Sequence, residues 1–196
     1  MCRIVAVNSL TLDGVTQAPG HPDEDRSGGF THGGWAAPYG DSVFAEAMAQ
    51  SMSTTGALLF GRRTYEHFFE VWPNQPEPNP FTDVLNRTRK YVASRTLTEP
   101  LPWQNSTLLA GEAADAVREL KQQPGKDVVI LGSGALVRSL MAHGLVDEFL
   151  LAIHPVVLGS GQRLFDGSTA SLRLTESVTT TTGVVVATYR SEEGTR

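Results

Sequence analysis

The sequence predicts an α/β fold: a mostly parallel central sheet with antiparallel C-terminal strands and helices on both faces. Three observations carry this. Over residues 128–138 a run of apolar residues passes into Gly132, Ser133 and Gly134 and then into a helical pattern, a strand, glycine turn and helix that suit a phosphate cradle and, without the third glycine of the dinucleotide fingerprint, equally suit a turn that uses glycine for steric reasons alone. Over residues 57–66 a second apolar run ends at Gly61 and is followed by Arg62, Arg63 and Thr64. Beyond Gly144 the alternation stops, and residues 147–158 and 183–190 read as long strands with no helix between them, a pattern that favours antiparallel pairing.

The elements follow in order. Residues 4–8 form a first apolar strand, and Asp13-Gly14 marks a turn after it. Residues 17–40 carry Pro19-Gly20, Gly28-Gly29 and Gly33-Gly34, an irregular length that in compact domains serves as a functional lid. Phe30 and Trp35 give that lid an apolar underside. Asp41 opens a helix whose buried stripe is Val43, Phe44, Ala47, Met48 and Met52, and Gly56 closes it. After the Arg62-Arg63 turn a short helical piece spans 65–69. Pro73, Pro76, Pro78 and Pro80 then forbid regular structure until about Phe81.

Strands at 91–93 and 107–110 come next, then a helix over 112–123 stopped by Pro124-Gly125. The strand 127–131 and the helix 135–143 complete the alternating part, with Gly144 as a left-handed cap. Thr179 to Thr182 form a polar turn or edge.

A chain of 196 residues suffices for one domain over 1–196 without disulfides. The net charge of −5 lacks the basic face that nucleic-acid binding requires. Cys2 is the single cysteine, which excludes an internal disulfide and a cysteine zinc cluster. The opening apolar run is too short for a signal-peptide core or a membrane span, so a cytoplasmic location is expected. The five histidines lack metal-ligand spacing, and no metal is expected.

Three strand ends carry groups suited to anions: Gly61 to Thr64, then Ser94, Arg95 and Thr96, then Gly132 to Gly134. Guanidinium groups match phosphate oxygens bidentately, and parallel strands would bring the three segments to one crevice fit for a phosphorylated dinucleotide. Taken singly, each Arg also reads as a solvated surface charge.

These segments resemble the dihydrofolate-reductase-like family, in the group similar to the reductase domain of bacterial riboflavin biosynthesis. The likeness rests on the stretch from Ser9 to Gly14, Phe60 to Tyr65, Tyr91 to Thr96, Ile130 to Gly134, and Leu145 to Glu148 leading to His154 through Phe165. It implies one NADPH-dependent domain, related to dihydrofolate reductase or 5-amino-6-(5-phosphoribosylamino)uracil reductase. Gly132, Ser133, Gly134 and Ala135 would hold the pyrophosphate, Arg62, Thr64, Ser94 and Arg95 would meet the adenosine 2′-phosphate and its neighbours, and Gly61, Arg63, Thr96 and Leu136 would also bind the cofactor.

The reaction it implies is hydride transfer from NADPH to a small heterocycle: a pterin, a flavin or a ribosylamino-pyrimidine-like compound. Asp41 is the candidate for substrate orientation or proton supply, with Glu46 in reserve; Asp41 reads equally as a helix N-cap. Asp13, Trp35 and Glu148 would line or support the substrate side. Asp13 also fits a simple turn and Glu148 a solvated strand-start charge. The zinc signatures of a deaminase partner domain are missing from the sequence. The family often pairs, and the apolar late strands allow a homodimer or simply a core. The competing reading is a noncatalytic nucleotide-binding or ligand-sensing protein on the same fold.

Overall fold

In the computed structural model, residues 1–73, 75, 79–167 and 169–192 are described. One eight-stranded sheet has the order β4-β3-β2-β5-β1-β6-β8-β7. The strands are β1 (Ile4–Thr11), β2 (Thr55–Gly61), β3 (Arg89–Ala93), β4 (Ser106–Leu109), β5 (Asp127–Leu131), β6 (Glu148–His154), β7 (Leu172–Thr179) and β8 (Val185–Ser191). The helices are α1 (Ser42–Ser51), α2 (Arg62–Val71), α3 (Pro80–Arg87), α4 (Ala113–Gln122) and α5 (Gly134–Met141).

β1 to β6 are joined by parallel pairings, and only β8 runs against the rest, antiparallel to both β6 and β7. The stretch expected to be antiparallel as a whole therefore divides: β6 lies parallel to β1, with Asn8 opposite Leu151 and Thr11 opposite His154. The parallel strands are buried on both faces, which is why they read as continuous apolar runs. Their alternation still assigns the layers. Ile4 and Ala6 of β1 face one layer with Val117 and Leu120 of α4 and Val137 and Leu140 of α5. Val5 and Val7 face the other, where Tyr65 of α2, Leu85 of α3 and Met48 of α1 pack.

Two local expectations are corrected. Gly56 does not close α1; it lies in β2 beside a register shift between Thr55 and Ala57, where a Cβ would stand 2.7 Å from Lys126 Cβ. Pro80 does not prolong an irregular stretch but opens α3, because a proline at the first helical position lacks only an N–H that would have no partner there. Asn79 caps that helix, accepting from the Phe81 amide at 2.9 Å. Pro76 and Pro78 lie outside the described residues. Residues 172–179, for which the sequence predicts no strand, form β7 at the edge of the sheet.

The segment between β1 and α1 docks through its own small core of Val15, Ala18, Phe30 and Trp35. Trp35 Nε1 donates to Gln17 O at 2.7 Å, and the Trp35 ring meets the buried His154 edge-on at 5.2 Å. Gly161, at φ 112°, lets the chain pass so close that a Cβ would sit 2.7 Å from Phe30 Cε2.

Candidate active site

Every parallel strand ends on the same edge of the sheet, and there the turns after β2 and β5 touch. The turn after β5 places Gly132 at φ 60° and Ser133 at φ 48°, both left-handed. α5 starts at once, and its first intrahelical bond is Val137 N to Ser133 O. The amides of Gly134, Ala135 and Leu136 are thus left without acceptors inside the helix. Ser133 Oγ accepts from Gly61 N at 3.0 Å, locking the second turn to the first. On the far side of Gly132, Thr64 Cγ2 stands 3.6 Å from where a Cβ would be.

A cleft of about 780 Å³ opens over this junction. Its floor is Asn8 and Ser9 of β1, Leu131 of β5 with Gly132 after it, and Ala152 of β6. The Asn8 amide donates to Gly132 O at 3.0 Å, while its Oδ1 is buried with no partner among the described residues. One wall is α2, which contributes Arg63, Thr64, His67, Phe68 and Val71. The opposite wall comes from residues 16–27, among them Gln17, His21, Glu24 and Asp25. Gln17 holds that wall in place: its amide donates to Asp25 O and Ser27 O, and its Oε1 accepts from Gln162 N at 3.0 Å. Burial pushes the Asp25 carboxyl up, but bonds from Ser27 and Gln17 and the charge of Arg63 outweigh it and keep Asp25 below its ordinary value.

Of the residues expected in the cofactor site, Arg63, Thr64, Gly132, Ser133 and Gly134 line the cleft. Gly61 supports it from beneath, Ala135 and Leu136 contribute their amides, and the Leu136 side chain is in the core. Arg62, Ser94, Arg95 and Thr96 do not line this cleft, although Ser94 follows Ala93, which stands opposite Gly61. Arg62 pairs with Glu66 at 3.6 Å on the exposed flank of α2. β3 is two strands from β5, roughly 10 Å away. Ser94 Oγ accepts from the Thr96 and Leu97 amides, and the exposed Arg95 approaches Glu112 at 3.8 Å.

The residues expected on the substrate side stand elsewhere. Asp41 caps α1, accepting from Phe44 N at 2.7 Å, and its other oxygen accepts from Thr181 N and Oγ1. The Thr181 hydroxyl and the Phe44 amide hold its carboxyl below the usual range, the wrong direction for a proton donor. Glu46 is exposed on α1. Asp13 clamps the Leu158-Gly159 turn, accepting from Gly159 N at 2.8 Å. Trp35 is buried in the small core under its own loop. Glu148 starts β6 and so lies toward the other end of the sheet, bonded to Arg3 and Arg190 at 3.0 Å each; along β6 it is separated from Ala152 of the cleft floor by roughly 13 Å.

Sequence reasoning missed Asn8, Gln17, Asp25 and the α2 face. One signal for that face was available: Thr64, His67, Phe68 and Val71 recur at helical spacing and form one stripe.

The sheet order, the glycine junction and the cleft define a dihydrofolate-reductase-like α/β protein. The chain belongs to the RibD C-terminal domain family, whose model matches residues 3–186. It is 30% identical over 193 residues to the uncharacterized protein YyaP of Bacillus subtilis, covering 95% of this chain and 94% of that one. It is also 30% identical over 122 residues to the uncharacterized protein YwjB of the same organism, 62% of this chain and 64% of that one. Among solved structures, a proposed riboflavin biosynthesis protein from Shewanella sp. PV-4 superposes with a TM-score of 0.68 at 19% identity, over 97% of this chain and 99% of that one. A pyrimidine reductase-like protein from Corynebacterium diphtheriae gives 0.65 at 14%, over 98% and 93%. At such identities the two structures speak for the fold alone.

Proposed function

We propose that the protein is an NADPH-dependent reductase that transfers a hydride to an electrophilic carbon of a small heterocycle of the pterin, flavin or ribosylamino-pyrimidine kind. The observation that carries this reading is the junction of Gly132, Ser133 and Gly134 with Arg63 and Thr64. Left-handed backbone at 132 and 133 and open amides at the start of α5 suit a diphosphate, and a guanidinium one turn away suits a further phosphate. Membership in a family of reductase domains supports the same reading.

NADPH supplies the hydride when bound. The chain's own residues do the rest. The amides of Gly134, Ala135 and Leu136 bind the diphosphate, and Arg63 neutralises phosphate charge beside Thr64. Asn8 Oδ1, an orphaned acceptor in the floor, accepts from an N–H of whatever lies over β1. The wall held by Gln17 keeps bulk water out. Proton supply falls to His21, Glu24, Glu66 or His67, which line the cleft, and not to Asp25 or Asp41, whose carboxyls are both held below the ordinary value.

The test is a titration of the purified chain with NADPH and NADH, read by tryptophan fluorescence, since Trp72 lines the cleft. NADPH should bind more tightly than NADH, and Arg63→Ala should weaken NADPH by roughly tenfold or more, the worth of a charge-assisted contact. Arg62→Ala and Arg95→Ala should have smaller effects. If neither nucleotide binds, the reductase reading is lost and the noncatalytic one replaces it.

A further inference from the structure

The cleft is graded along α2. Arg63 and Thr64 stand at the helix N-terminus beside the glycine junction, then come Glu66 and His67, then Phe68, Val71 and Trp72. From Arg63 to Trp72 is roughly 14 Å of helix. Across from the last turn, Met48 of α1 and Phe81 of α3 complete an apolar pocket, with the Trp72 and Phe81 rings edge-to-face at 4.9 Å. These side chains are only half-buried, so the pocket presents aromatic surface to whatever enters it.

The charges of the cleft are as uneven. Among the described residues, which include every Lys and Arg except Arg196, Arg63 is the one Lys or Arg that lines it. The carboxylates of Glu24, Asp25 and Glu66 line the same cleft, and the charge of Arg63 acts on Asp25. Of the other guanidinium groups, Arg138 stands behind Gly134, its Nη1 3.6 Å from where a Cβ there would be, and donates to Arg163 O, while Arg62 pairs with Glu66, Arg26 with Asp23 and Arg163 with Asp13. A phosphate or carboxylate placed against Phe68 and Trp72 would find no Lys or Arg beside it, only the imidazoles of His21 and His67 in the same cleft, and would share that cleft with three carboxylates, which is unfavourable.

Building on the reductase reading above, we infer that the second ligand of the cleft is a planar heterocycle bearing no phosphate or other negative charge. It stacks on the apolar half formed by Met48, Phe68, Trp72 and Phe81. A ribosylamino-pyrimidine therefore fits only without its phosphate. The acidic rim tolerates, and favours, a ring that carries a proton.

Matched probes test this: riboflavin against riboflavin 5′-phosphate, and pterin against pterin-6-carboxylate, each titrated by calorimetry into the wild-type chain and into Arg63→Ala, where the cradle's guanidinium is gone. The expected result in Arg63→Ala is that at least one uncharged member binds, about tenfold or more tightly than its anionic partner. Phe68→Ala and Trp72→Ala should each weaken that binding severalfold. An anionic member that binds Arg63→Ala as tightly as its uncharged partner overturns the inference, and so does failure of all four probes to bind. Neither result touches the NADPH titration, which reads the cradle and decides the reductase reading separately.

Discussion

The Gly61 amide donates to Ser133 Oγ at 3.0 Å. This one bond joins the turn after β2 to the turn after β5, two loops 72 residues apart in sequence that border the same cleft. Because Ser133 stands at φ 48°, its position is held by contacts outside its own backbone preference.

Ser133→Ala keeps the backbone strain and removes the acceptor from Gly61. The loss should be about 1–3 kcal/mol of stability, roughly 2–4 °C in Tm per kcal/mol for a chain of this size. NADPH affinity should fall with it, since the cradle loses its brace. Calorimetric melting with and without NADPH checks both, and an unchanged affinity would show that the bond is structural only.

Gly161→Ala tests how the wall of the cleft is seated. At φ 112°, with Phe30 and Val15 atoms 2.7 and 2.8 Å from the new methyl, both backbone and packing resist it. Destabilisation of about 1–3 kcal/mol is expected. Limited proteolysis should then cut within residues 16–40 faster than in the wild type.

Lys90 gives the alkaline limb of stability. Its side chain is fully buried, donates to Leu85 O and Thr88 O, and lies 4.6 Å over the Trp103 ring. Burial pushes its pKa down to about 8 from the ordinary 10.5. Below pH 8 both folded and unfolded chains hold the proton and the folded state bears the burial of charge. Between pH 8 and 10.5 the unfolded chain binds more protons, so stability contributed by this group rises with pH. Urea melts across that range should show the rise in wild type and not in Lys90→Met.

Asp13 gives the acid limb. The Thr11 hydroxyl and then the Gly159 and Leu158 amides outweigh burial and draw its carboxyl down to about 2. The folded value lies below the unfolded one of 3.8, so its contribution is complete above pH 3.8 and disappears as pH falls through 2. Asp13→Ala should cost about 1–3 kcal/mol near neutrality by stranding two amides, and should flatten the acid limb of a pH melt.

Glu148→Ala separates a structural residue from a site residue. Glu148 bridges Arg3 and Arg190, which are themselves 41% and 53% exposed, so the loss is about 1 kcal/mol. Ligand affinity in the cleft should not change. A tenfold fall in affinity would return Glu148 to the substrate side.

The layer architecture was legible because its signals are local. Apolar runs of strand length ending in glycine marked β2 and β5, and Asp41 before a helical stripe marked the start of α1. β7 was not legible: as an edge strand with seven of its eight residues exposed, it carries Thr, Glu and Ser and has no alternation to read. α3 was hidden by its proline, which breaks a helix in the middle and starts one at the end.

For the site, the sequence by itself determined the strand-to-helix turn of Gly132, Ser133 and Gly134 after a buried strand, and the position of Arg63 and Thr64 directly after the strand that ends at Gly61. Only the tertiary structure decided which of the other candidates meet it. Asp13, Asp41 and Glu148 are carboxylates whose residue types suit chemistry as well as they suit turns, caps and ion pairs. Their roles depend on distance across the sheet, and distance arises from strand order. That order places β5 between β1 and β2 and sets β3 two strands from β5. Strand order is settled by packing among residues far apart in the chain, and no local window of sequence records it.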